Sequence, residues 1–195
     1  MNRFMRLLAV AGVMVAATQL VGCASIKMGM PTASMDNTVK MRASGGMAPA
    51  AVGSFVLEAG KPAEMDQSVN VRARNSLASP INNSFAEYLK ETLRVELEAA
   101  QLLDPNSPIR INGTLMDSML DPAIGTGKGQ LQARFVVKRA DVVKYDRSLA
   151  VASEWDSSFI GAVAIPAAVQ NYQLLYRKLV SQLFDDPDFR KALLN

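Results

Sequence analysis

Few residues of this 195-residue sequence could take part in covalent or acid–base chemistry near neutral pH, because it has no histidine and a single cysteine, Cys23. Without an imidazole, the Ser-His-Asp and Cys-His nucleophile pairs, histidine-ligated zinc and the usual neutral-pH general base are all excluded. One cysteine also excludes an internal disulfide and a cysteine-cluster metal site. We therefore predict no catalytic residues, no metal and no cofactor, and we expect the protein not to be an enzyme.

Cys23 lies at the end of a segment with the features of a secretory signal peptide. Arg3 and Arg6 precede an apolar run from Leu7 to Leu20. This run is shorter than the roughly 20 apolar residues that a helix needs to span a bilayer. A basic start, a short apolar stretch and small residues after it are typical of a signal peptide, which we assign to residues 1–22.

The residues up to Cys23 resemble the lipobox of bacterial lipoproteins, with the sequence Leu20-Val21-Gly22-Cys23. The resemblance implies that the Cys23 sulfur receives a diacylglycerol and that cleavage makes Cys23 the first mature residue. Lipoproteins of this kind carry three acyl chains, palmitate among them, and two or more chains anchor stably at about 0.8 kcal/mol per buried methylene. Because Ala24 follows, and not the aspartate that retains many lipoproteins at the inner membrane, the resemblance implies the periplasmic face of the outer membrane.

The charge of the chain argues against nucleic acid as a partner. Lysine and arginine number 21 against 18 acidic residues. Removal of residues 1–22 takes away Arg3 and Arg6 and leaves the mature chain close to neutral. A nucleic-acid-binding protein would carry a basic patch or stripe.

Residues 23–51 are predicted to form a lipidated, flexible tether that could lie partly on the domain. They are rich in small residues and methionine and have no helical or strand period. If flexible, such a segment has an end-to-end distance of about 30 Å, enough to hold a domain clear of the lipid headgroups. The methionines could offer soft ligands to Cu(I), but their irregular spacing favours a linker. They are Met28, Met30, Met35, Met41 and Met47.

The remaining residues, 52–195, are predicted to form a single α/β periplasmic domain with the element order strand, strand, helix, three strands, helix. The strands are predicted at 52–57, 68–72, 109–116, 130–139 and 142–155. Ser84 and Glu87 have the spacing of a capping box and predict the start of the first helix. Pro166 is predicted in the first turn of the second helix.

Three glycines, Gly125, Gly127 and Gly129, could suggest a phosphate-binding loop. The Walker and dinucleotide patterns both fail, since Pro122, Gln130 and Gly129 occupy positions where other residues are required. We predict a hairpin loop between two strands instead.

The predicted fold class is α+β. Each long helix has one apolar stripe, so the economical arrangement is a two-layer sandwich with both helices on one face of a mostly antiparallel sheet.

The segment 154–166 contains the only tryptophan and joins the last strand to the second helix. Aromatic anchors among small apolar residues are typical of contact surfaces, which makes this a candidate partner or ligand patch. The alternative is a corner that closes the core. The patch residues are Trp155, Phe159, Ile160, Val163 and Ile165.

The lipobox, the tether and the two-helix sandwich together resemble small periplasmic lipoproteins of Gram-negative bacteria. The closest in architecture are the YajG-like lipoproteins and the auxiliary lipoproteins of ABC-type envelope transport systems. That resemblance implies a non-catalytic binding or accessory module in envelope maintenance or transport, with the membrane, an envelope transport or assembly complex, or phospholipid as partner. A purely structural lipoprotein and a histidine-independent envelope enzyme are the alternatives.

Overall fold

The computed structural model describes residues 25–43, 45–72 and 75–194. The predicted signal peptide and Cys23 lie outside these ranges. The strands are β1 (Ser25–Lys27), β2 (Ala51–Leu57), β3 (Val69–Arg72), β4 (Asn75–Ala78), β5 (Ile109–Asp121), β6 (Gly125–Arg139) and β7 (Val142–Ser157). The helices are α1 (Met35–Ala43), α2 (Glu64–Gln67), α3 (Phe85–Ala99), α4 (Gly161–Asp185) and α5 (Pro187–Leu193).

The main sheet has the strand order β2-β5-β6-β7. Strands β5, β6 and β7 form the predicted antiparallel meander, with Ile111 opposite Val137 and Val137 opposite Tyr145. Alternate residues of β5 and β6 are buried, as expected for a sheet with one covered face. Strand β2 pairs with β5 in parallel, because the chain returns through α3 before it enters β5.

A second, three-stranded sheet has the order β1-β4-β3. Strand β1 runs parallel to β4, with Ser25 opposite Ser76, and β3 runs antiparallel to β4. The strand predicted at 68–72 therefore belongs to a separate small sheet and not to the main one.

The two long helices α3 and α4 pack together on the main sheet, which confirms the α+β sandwich. Helix α3 begins as predicted, since the backbone N–H of Glu87 donates to the Ser84 hydroxyl at 3.1 Å. Edge-to-face aromatic pairs join the helices, with ring centroids 4.8 Å apart for Tyr88 and Tyr176. Among the described residues, no helix is long and apolar enough to cross a membrane.

The prediction of a flexible tether is wrong for residues 25–43 and 45–51. These residues form strand and helix and pack on the domain, and we call them the strap. Met28, Met41 and Met47 are buried in the core. Full burial of one such side chain contributes about 1.5–3 kcal/mol, enough to hold a segment that has no amphipathic period.

A buried carboxylate, that of Glu96, also holds the strap on the domain through hydrogen bonds. Glu96 of α3 is fully buried and accepts hydrogen bonds from the Ser34 backbone N–H and the Asn37 Nδ2, each at 3.0 Å. The strap also contacts the end of α5. The Ala48 N–H donates to the Leu193 carbonyl at 2.8 Å, and Met47 forms an antiparallel β-bridge with Leu194.

Two local predictions are wrong. The glycines at 125–129 lie in strand β6 and not in a hairpin loop, and the turn before them is confined to 122–124. Pro166 lies inside α4, which begins earlier at Gly161.

Candidate functional site

Four large apolar side chains are exposed at one end of the domain, and we call them the end patch. They are Ile124, Phe159, Ile160 and Val163, with exposed fractions of 64%, 78%, 60% and 57%. Gly125 and Ser157 are the last residues to pair across β6 and β7 at this end. Ile124 directly precedes β6 at this end, and Phe159, Ile160 and Val163 follow β7 at the same end.

The predicted patch divides into exposed and packed residues. Phe159, Ile160 and Val163 are exposed. Trp155 and Ile165 are half-buried and pack against the hydrophobic core. Ile124 was not in the prediction, although an apolar residue between Pro122 and Gly125, in a turn, was the available signal.

The Trp155 indole lies across strand β6. Trp155 pairs with Gly127, and a Cβ on Gly127 would lie only 2.6 Å from Cζ2 of the ring. A Cβ on Gly129 would lie 2.9 Å from Cδ1 of Leu175 on α4. The glycines thus leave room for the ring and for the helix, which explains why a glycine-rich segment occurs within a strand.

Arg72, at the end of β3, fixes the backbone that carries the patch. Its Nη1 donates to the Ser158 carbonyl at 2.9 Å and to the Phe159 carbonyl at 3.4 Å. The Ser158 hydroxyl in turn accepts a hydrogen bond from the Ile160 N–H at 3.0 Å. Hydrogen bonds from a guanidinium are stronger than those between neutral groups, so Arg72 stabilises the observed conformation of this connection.

An open cleft of about 340 Å³ separates the end of β3 from the β5–β6 turn. It is lined by Asn70, Val71, Arg72, Leu120, Asp121, Pro122, Ala123 and Ile124. Three buried polar atoms in this part of the chain have no hydrogen-bond partner among the described residues: Arg72 Nη2, Trp155 Nε1 and Ser157 Oγ.

The buried titratable groups lie in the core, away from the end patch. Burial raises the pKa of Tyr172 and Tyr176, so both phenols stay protonated near neutral pH. Tyr176 donates to the Tyr172 hydroxyl at 3.1 Å, and Ser118 shares a short hydrogen bond with the same hydroxyl. This chain of hydroxyls joins β5 to α4, and we read its role as positioning the helix on the sheet.

The strands that lead to the end patch carry acidic side chains, among them Asp121, Glu154 and Asp156. Glu154 forms an ion pair with Lys128 at 3.2 Å. Within the described ranges, no group of three acidic, histidine or cysteine residues could hold a metal ion. The end patch therefore offers another molecule apolar side chains and the backbone groups at the start of α4.

Comparison with solved structures shows which fold this is. Protein XCC0632 from Xanthomonas campestris, of the family DUF330, superimposes with a TM-score of 0.55 at 13% identity, covering 83% of this chain and 95% of that chain. A minor lipoprotein from Acinetobacter baumannii gives a TM-score of 0.41 at 12% identity, covering 74% and 95%. Neither a protein-family model nor a curated protein matches the sequence. The likeness to the Xanthomonas protein concerns the fold alone.

Proposed function

We propose that the chain is a lipid-anchored, non-catalytic binding module of the bacterial envelope, held at the periplasmic face of the outer membrane through Cys23. The single observation that carries the proposal is the end patch, a set of exposed apolar side chains whose backbone accepts hydrogen bonds from Arg72. Large apolar side chains exposed together at one end of a folded domain are typical of a contact surface for another molecule.

The position of the strap supports a role at the membrane surface. Cys23 precedes Ser25, the first residue of β1, by two positions. Two extended residues span about 7 Å, so a lipidated Cys23 would hold the folded domain against the headgroups. The distance of about 30 Å expected for a flexible tether does not apply.

The resemblance to auxiliary lipoproteins of ABC-type envelope transport systems supplies the finer part of the proposal. It supports an accessory role, in contact with an envelope complex or with phospholipid, as part of the proposal. The lack of histidine and the apolar character of the end patch fit this role better than catalysis.

The anchor is tested by expressing the full-length chain in a Gram-negative host with an alkyne analogue of palmitate. We expect label and membrane fractionation for the natural chain, and loss of both in Cys23→Ser. An unlabelled natural chain would overturn the anchor.

The contact surface is tested with a photocrosslinking residue at Phe159 or Ile160 in the same cells. The matched control is Val142, which is 56% exposed at the opposite end of the β6–β7 hairpin. Adducts confined to the end patch support the binding module. Adduct patterns that do not differ between the two ends would contradict it.

A further inference from the structure

We propose that the end patch faces the membrane that carries the lipid anchor and inserts its apolar side chains into the headgroup region. The inference rests on the proposed acylation of Cys23. It commits the end patch to one occupant, the leaflet that holds the acyl chains of the same molecule.

The first step is where the chain enters the domain. Strand β1 runs parallel to β4, so Ser25 lies beside Ser76 at the end of the small sheet where β4 begins. Strand β3 runs antiparallel to β4 and ends at the same side, with Arg72 opposite Asn75. Adjacent strands are about 4.8 Å apart, so the backbones of β1 and β3 are separated by about 10 Å.

The second step joins this edge to the end patch. Arg72 donates hydrogen bonds to the carbonyls of Ser158 and Phe159, so the end of β3 touches the segment that carries the patch. On the other side of the cleft, the β5–β6 turn contributes Ile124. The entry point of the lipidated segment and the end patch therefore occupy one end of the molecule.

The third step is the short reach of the anchor. With Ser25 already hydrogen-bonded within the small sheet, only Ala24 separates the acylated residue from the folded domain. A chain this short spans about 7 Å and keeps this end of the domain close to the bilayer. A flexible tether would instead have allowed any face to meet the membrane.

The chemistry of the surface fits lipid. Phenylalanine, isoleucine and valine side chains are suited to the boundary between headgroups and acyl chains. Of the cations near the patch, Lys128 is paired with Glu154 and Arg72 donates to backbone carbonyls, so the two do not form a free basic cluster. The contact is thus apolar, and we expect it to be insensitive to the fraction of anionic lipid.

The test uses the full-length lipidated protein in vesicles of phosphatidylethanolamine and phosphatidylglycerol. Because Cys23 is the only cysteine and is acylated in this form, Phe159→Cys introduces a unique thiol for an environment-sensitive dye. Ile160→Cys is a second patch site, and Val142→Cys is the matched control at the far end of β6 and β7. Lipids brominated along the acyl chain serve as contact quenchers.

We expect blue-shifted emission at both patch sites and quenching roughly several-fold stronger than at Val142, as for side chains about 5–10 Å into the interface. Raising the phosphatidylglycerol fraction should leave this ratio unchanged. Equal quenching at the two ends, in protein that floats with the vesicles, would overturn the membrane-facing patch while leaving the anchor intact.

Two further outcomes distinguish the proposals. If the natural chain does not float with vesicles, the anchor fails, and the present inference fails with it. If it floats without patch quenching and Phe159 crosslinks to a protein in cells, the end patch is a protein-docking surface and the lipid assignment is wrong. Circular dichroism of each labelled variant confirms that the compared proteins are folded.

Discussion

The indole of Trp155 lies over the backbone of its cross-strand partner Gly127, in space that only a residue without a side chain leaves free. The ring covers β6 next to the segment that leads to the end patch. Because Trp155 and Gly127 pair close to the end of β6 and β7, the ring lies near the proposed contact surface.

Gly127→Ala should therefore destabilise the protein by about 1–3 kcal/mol, since the new methyl group must displace the ring. Urea unfolding followed by Trp155 fluorescence and by circular dichroism measures this change. Gly161→Ala is the matched control, because a Cβ there meets nothing within 4 Å, and it should leave stability unchanged or slightly higher. Equal effects of the two substitutions would contradict the steric explanation.

Arg72→Ala should loosen the segment from Ser158 into α4 and cost about 1–3 kcal/mol, because two backbone carbonyls lose a charged donor. Hydrogen exchange should become faster at 158–163 with little change elsewhere. The control is Arg134→Ala, which removes an exposed ion pair with Asp146 and should change stability little. Unchanged exchange at 158–163 would show that Arg72 does not position the patch.

Ile160 is the N-cap of α4 and provides no side-chain hydrogen bond to the helix. Ile160→Ser should raise the free energy of unfolding by about 1 kcal/mol, because a serine hydroxyl can accept from the first free N–H groups. The same substitution should weaken vesicle contact at the end patch. Ile160→Ala removes the apolar contact without providing a cap, so it should weaken contact with no gain in stability.

Because of Glu96, we expect the free energy of unfolding to decrease as the pH rises above the ordinary glutamate pKa of 4.5. Burial raises the pKa of Glu96 in the folded state, although hydrogen bonds from Ser34 and Asn37 oppose that rise. The folded chain then binds more protons at this site than the unfolded chain, and deprotonation at higher pH costs stability.

Urea unfolding of the natural chain and of Glu96→Gln between pH 4.5 and pH 7 isolates this contribution. The difference in unfolding free energy between the two proteins should change with pH in the direction that favours the glutamine variant at pH 7. A difference that stays constant with pH would mean that Glu96 titrates equally in both states.

A flexible insertion between Ala24 and Ser25 should separate the anchor from the orientation of the domain. About 12 added glycine and serine residues extend the mean reach by roughly 20 Å. The protein should still float with vesicles, while the quenching at a dye on Phe159 should decrease. Undiminished quenching would mean that the end patch holds the membrane without help from a short link.

The sequence alone predicted the elements in which buried residues recur at a regular spacing. Alternating residues of β5 and β6 and the four-residue recurrence of leucines in α3 predicted the meander and the first helix, because one face of each element is covered. A different signal, an aromatic and apolar segment at the junction of a strand and a helix, predicted the patch that contains Phe159, Ile160 and Val163, and these three residues are exposed.

Prediction failed where the deciding contact is distant in the chain. The strap from Ser25 to Ala51 has no period of its own, and it is held by Glu96 and by scattered methionines that fit the core one at a time. The glycines of β6 were assigned to a loop because the side chains that approach Gly127 and Gly129, Trp155 on the next strand and Leu175 on α4, are distant in the chain. Neither partner can be identified from local composition.

The joining of the strap to the C-terminus has a consequence for the order of events in biosynthesis. The Ala48 N–H donates to the Leu193 carbonyl, and the α5 residues Phe189 and Leu193 are fully buried. A nascent chain that lacks α5 cannot complete this closure. The strap can therefore reach its native packing only after α5 has been synthesised, and removal of α5 should trap the chain short of its final fold.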